Sequence, residues 1–99
     1  MASSITWTPQ LPPIDKDPDD IVDFEFDLTE WLGVDTVNGG LTTALADGCS
    51  AEVVNTTLTS AKMRVSGGVE GLTGTATLRV VTANGRQSDR SLRFRFRQL

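Results

Sequence analysis

The chain contains no histidine, which removes the commonest general base and most zinc and catalytic-triad arrangements. What remains is carboxylate, one thiol and several glycine loops. Asp15-Lys16-Asp17-Pro18-Asp19-Asp20 puts acids at the first, third and fifth places of a calcium loop. Asp20 stands where the sixth place needs glycine, and Phe26 where the twelfth needs a bidentate Glu, so the run reads as an acidic solvated linker. Asp23, Glu25 and Asp27 are two residues apart, which spreads them along one strand face rather than converging them on a pocket. Cys49 is the sole cysteine; it cannot form an internal disulfide, suits a reducing compartment, and reads as a small buried hydrophobe. Ser66-Gly67-Gly68 and Gly71-Leu72-Thr73-Gly74 lack the Lys-Ser/Thr and following helix of a phosphate loop. Ser88-Asp89-Arg90-Ser91 suits a local Asp–Arg pair or an Asx turn. These residues predict no catalytic group, no bound metal, no cofactor and no enzymatic activity.

The elements around them are strands. Residues 91–97, Ser-Leu-Arg-Phe-Arg-Phe-Arg, alternate without a slip, so Leu92, Phe94 and Phe96 share one face and Arg93, Arg95 and Arg97 the other. Residues 75–82 are rich in β-branched side chains. Asn84-Gly85 lies between the two runs, which predicts a hairpin with a two-residue type I′ turn. Residues 21–28 alternate as cleanly, with Val22, Phe24, Phe26 and Leu28 facing inward and Asp23, Glu25 and Asp27 outward. Were the first and last strands neighbours, those carboxylates would face the arginine row, each exposed pair contributing ~0.2–1 kcal/mol and helping to set the register.

Charge is lopsided to match. Residues 1–60 carry eleven acids and one base; residues 61–99 carry eight bases and two acids. A basic row also raises nucleic-acid binding. The acidic total and the lack of exposed aromatics between the arginines argue against it. No apolar run is long enough to span a bilayer, and the opening residues lack the basic start and apolar block of a signal peptide.

Residues 1–20 hold all four prolines, Pro9, Pro12, Pro13 and Pro18, which predicts an extended, partly polyproline-like arm. Ile5, Trp7, Leu11 and Ile14 give it apolar anchors. An ordered arm of this kind is held by its own domain or by a neighbouring chain; docking on a partner through Trp7 and Leu11 is the expectation. Residues 21–99 are then the folded domain.

Along that domain, Thr29-Glu30-Trp31-Leu32-Gly33 reads as a corner of one helical turn closed by Gly33. Residues 34–37, 41–45, 50–59 and 61–65 read as short strands, with a break at Asn38-Gly39-Gly40 and a turn at Ala46-Asp47-Gly48. The total is about seven short strands with frequent turn signals, an all-β pattern of the immunoglobulin-like sandwich kind. It lacks the antibody cysteine pair and has no tyrosine for a corner. Phe24, Phe26, Leu78, Val80, Leu92, Phe94 and Phe96 should form the core.

Residues 17–36, Asp-Pro-Asp-Asp through an aromatic strand to Trp31-Leu32-Gly33 and Asp35-Thr36, resemble the opening of the small tailed-phage virion proteins known as fibre–tail adaptor proteins. Ser66-Gly67-Gly68, Thr82-Ala83, Gly85-Arg86 and Asp89-Arg90-Ser91 match that family's later pattern in order, while residues 38–59 depart from it. The resemblance implies an immunoglobulin-like fold and a non-enzymatic virion role, with no catalytic residues to carry over. It also implies partners among other virion proteins (portal, connector, tail, fibre or capsid), many symmetric copies, no nucleic acid, no membrane, and assembly in the host cytoplasm. Capsid decoration is one alternative. A glycan-binding module for host attachment is another; it would need exposed aromatics, for which only Trp7 and Trp31 qualify.

Overall fold

The computed structural model describes the backbone of residues 2–5 and the whole of residues 13–99. It is all-β. In chain order the elements are β1 (Ala2–Ile5), β2 (Ile14–Lys16), β3 (Val22–Asp27), α1 (Thr29–Leu32), β4 (Thr43–Asp47), β5 (Ser50–Thr56), β6 (Ser60–Ser66), β7 (Thr73–Val81) and β8 (Gln87–Phe96). Two four-stranded sheets form, ordered β1-β3-β6-β5 and β2-β8-β7-β4. The strands β3, β6, β5 and β8, β7, β4 follow the orders B, E, D and G, F, C of constant-type immunoglobulin sandwiches. β1 departs from that scheme by running parallel to β3.

Alternation builds the layer between the sheets. Phe24, Phe26, Leu28, Ala61, Met63 and Val65 come from one side, and Ala76, Leu78, Val80, Leu92, Phe94 and Phe96 from the other; all are buried. The Phe24 and Phe94 rings meet across the layer at 5.6 Å and an interplanar angle of 55°, a tilted contact that suits the ring quadrupoles. All seven residues expected in the core are there.

β3 and β8 are not neighbours. They lie in opposite sheets, and because their apolar faces pack against each other, their charged faces point away on opposite sides of the sandwich. Asp23, Glu25 and Asp27 therefore do not face Arg93, Arg95 and Arg97. On β6, Arg64, Lys62 and Ser60 stand opposite Asp23, Glu25 and Asp27.

The β7–β8 turn also differs from expectation. Gly85 has φ +84°, but among the described residues no non-glycine residue has positive φ, so Asn84 does not adopt the type I′ conformation. Gly85 N–H donates to Thr82 O and Thr82 N–H to Arg86 O, which makes a three-residue loop with Gly85 as the left-handed residue. The strand expected over 34–37 shrinks to a single bridge, Val37 to Thr82. The strand expected over 50–59 ends earlier, as β5, and has a register shift between Val53 and Asn55.

Strands from the expected arm edge both sheets. β1 pairs with β3, and β2 pairs parallel with β8, Ile14 opposite Phe94. Pro12 and Pro13 precede β2 and cannot donate to a ladder, which accounts for its start at Ile14.

Candidate functional site

The short helix α1 begins where the Asp27 carboxylate accepts from Thr29 N–H (3.0 Å) and from the Thr29 hydroxyl (2.6 Å). These bonds, the hydroxyl first, hold the Asp27 carboxyl below its ordinary range. Gly33, at φ +62°, ends the turn, a conformation that side chains resist. The chain then bends inward at Asp35, which is buried.

Asp35 is the centre of a clasp. Its Oδ1 accepts from Thr36 N–H (2.8 Å) and Asn84 N–H (3.2 Å), and its Oδ2 accepts from Arg86 Nε (3.0 Å). Arg86 donates further to Leu32 O (2.8 Å) and Trp31 O (3.3 Å), and its guanidinium lies over the Trp31 ring, 4.6 Å from the centroid. Arg90 lies over the same ring at 5.1 Å. The planar fork of arginine suits this combination of bonds and stacking; an ammonium would not reproduce it. The Thr82 hydroxyl, together with the Thr36 amide, Arg86 and the Asn84 amide, outweighs the opposing effect of burial and lowers the Asp35 pKa to about 2. One carboxylate thus ties α1 and the segment after it to the β7–β8 turn.

The glycine loop lies at the other end. The Phe96 ring sits where a Cβ on Gly68 would go, and a Cβ on Gly74 would come within 2.7 Å of it. Gly67 O accepts from Lys16 Nζ at 3.0 Å, and Asp17 O accepts from it at 2.9 Å. Lys16 is buried, 5.8 Å from the Phe96 centroid; two carbonyls and a ring face offset the cost of burying its ammonium. The sequence offered no sign of this, because Lys16 stands inside an acidic run.

The anticipated site residues fare unevenly. Asp23 accepts from Arg64 through both oxygens, at 2.8 and 3.2 Å, which lowers its pKa. Glu25 is opposite Lys62. Arg95 donates to Asp15 at 2.9 Å, Arg97 lies 3.6 Å from the same carboxylate, and Arg93 is opposite Thr75. The Arg95 hydrogen bond lowers the Asp15 pKa. Ile14 is half-buried against the chain's own core, and the Ile5 backbone pairs with Phe26. Trp7 and Leu11 lie outside the described residues. Cys49 is half-buried, with its pKa raised by burial. Among the described residues no group of three or more His, Cys, Asp or Glu could hold a metal ion, and no helix is long and apolar enough to cross a membrane.

Two packed sheets whose named polar side chains bond mainly to one another define a structural domain, closed at one end by the Asp35–Arg86 clasp and at the other by the glycine loop. The family described as Gp77, podophage GP4 fiber-tail adaptor protein gp77, matches residues 16–95, and the chain belongs to it. It is a tail fibre adaptor-like phage protein. The match takes in both the Asp35–Arg86 clasp and the glycine loop, and leaves out the first fifteen residues. No curated protein and no solved structure matches the chain.

Proposed function

We propose that the chain is a non-enzymatic structural component of a phage particle, joining tail, fibre or head–tail components through its N-terminal segment and its sheet edges. The observation that carries this reading is the family match over residues 16–95. The chemistry agrees with it. The carboxylates with an obvious role serve caps, turns and ion pairs, so what the molecule offers outward is backbone edge and loop. Strand addition and an extended segment need backbone groups and a few apolar anchors, not a reactive centre. Trp31 suits a sugar platform poorly, since Arg86 and Arg90 both lie over its ring.

Residues 1–15 fall outside the family match, which makes them the natural place for contacts particular to this particle, with Ile5, Trp7 and Leu11 as anchors. The protein is present in symmetric copies and is assembled in the host cytoplasm. Crosslinking mass spectrometry on intact particles tests the reading: crosslinks from the N-terminal segment to tail, fibre or connector proteins are expected. Particles that assemble normally with residues 1–14 deleted would overturn the role of the segment. Absence of the chain from purified particles would overturn the function.

A further inference from the structure

The four outer strands are not equally protected. A bare strand edge invites pairing, and proteins blunt it with short length, proline, charge or a bulge. β2 has three residues, Asp15 and Lys16 among them, and follows Pro12-Pro13. β1 has four residues. β5 carries Glu52 and a register shift between Val53 and Asn55. β4 is five residues long and carries a single charge, Asp47 at its end, with no bulge. Thr43-Ala44-Leu45-Ala46-Asp47 contains no proline and no cation, pairs with β7 in unbroken register, and is the outermost strand of its sheet among the described residues. Leu45 is 45% exposed, and Leu41, just upstream, is 59% exposed.

We infer that β4 is a self-association edge, pairing antiparallel with β4 of a second copy about a two-fold axis at Leu45. The charge pattern selects this occupant. In that register Leu45 meets Leu45 of the copy, and Thr43 meets Asp47 of the copy, where its hydroxyl can donate to the carboxylate. No like charges are opposed. On the other face Ala44 meets Ala46, small enough for close approach of the two sheets. Each patch complements itself, as a two-fold contact requires. The result is a continuous eight-stranded sheet from two copies of β2-β8-β7-β4. The interface is small, and it gains from the high local concentration of copies in an assembly. This narrows the proposed use of sheet edges to one strand. The test uses the purified full chain, so its failure would leave the virion assignment standing.

Analytical ultracentrifugation over a concentration series should show a monomer–dimer equilibrium. Amide exchange should slow in β4 as concentration rises, and not in β5. Thr43→Asp opposes two carboxylates in each half of the interface and should weaken the dimer roughly tenfold, whereas Thr43→Lys should tighten it. Within one chain the order reverses, because Thr43 stands opposite Arg79: Asp there favours the monomer fold and Lys opposes it. Thermal melts of dilute protein therefore separate folding from association. A chain that stays monomeric at millimolar concentration, or a dimer indifferent to both substitutions, would overturn the inference. So would β4 protection that arises only when other particle proteins are added, which would assign the edge to a different chain.

Discussion

The two ends of the sandwich are closed by different physics. At one end a single buried carboxylate, Asp35, collects two backbone amides, a hydroxyl and a guanidinium, and so fixes loops far apart in sequence. At the other end, where β6 leads into β7, the Phe96 ring presses on the backbone of Gly68 and Gly74, and Lys16 is tied to Gly67. The first device is electrostatic and depends on protonation. The second is steric and is indifferent to acid. The family match over residues 16–95 takes in Asp35, Arg86, Gly68 and Gly74 but stops short of Phe96.

Removing the ring should have the largest effect. Phe96→Ala takes a fully buried aromatic from the core and should cost ~3–5 kcal/mol, measured by urea unfolding. Gly68→Ala should cost less, about 1–3 kcal/mol, through strain at φ +113° and contact with the ring. The comparison sharpens in the double variant: once Phe96 is Ala, the penalty of Gly68→Ala should fall, leaving only its backbone part. Purely additive costs would mean that the ring does not press on that glycine.

The clasp comes next, and its signature is pH. The Asp35 pKa is lowered from 3.8 to about 2 in the folded chain. A depressed carboxylate pKa contributes stability that is present above the unfolded value, and that is lost as pH falls through the folded one. The melting-temperature gap between the wild type and Asp35→Asn should therefore be full at pH 7, begin to narrow near pH 4 and be largely closed by pH 2. The loss caused by Phe96→Ala should not track acid in this way. Arg86→Lys keeps the charge but loses the fork and the stacking on Trp31, and should recover little of what Arg86→Ala loses. Full recovery by lysine would reduce the clasp to plain charge attraction.

How much of this the sequence revealed follows from what period-two patterning can carry. Alternation over residues 21–28 and 91–97 identified both strands and their buried faces, because a face is a local property. It could not name neighbours, because pairing is set by chain topology; the complement of Asp23 proved to be Arg64, in the strand that returns beside it. The Asn84-Gly85 pair announced a turn but not its type, since the hydrogen bonds to Asp35 and from Thr82 to Arg86 favour a wider loop. Asp35 itself was legible only as part of a family pattern. Nothing in composition says that an isolated acid will turn inward, and its bends cost the strand expected at 34–37. Lys16 was hidden for the same reason: burial of a cation depends on carbonyls such as Gly67 O, fifty-one positions away.

The exposed ion pairs should matter least, and they test whether charge matters outside the clasp. Asp15 bonds Arg95 and lies near Arg97, with about half of each arginine side chain in solvent. High dielectric and salt screening leave such pairs little net effect on global stability. Asp15→Asn should thus barely move the melting temperature, and the small change should vanish in molar salt. Its effect belongs to β2, whose three residues are held to β8 by a short parallel ladder and by this carboxylate. Hydrogen exchange at β2 amides should quicken in Asp15→Asn at low salt while β7 and the β8 core stay protected, because an edge strand opens without global unfolding. If β2 exchange is unchanged, the ladder, the packing of Ile14 and the Lys16 bonds hold the strand, and the outer charges set neither its position nor its register.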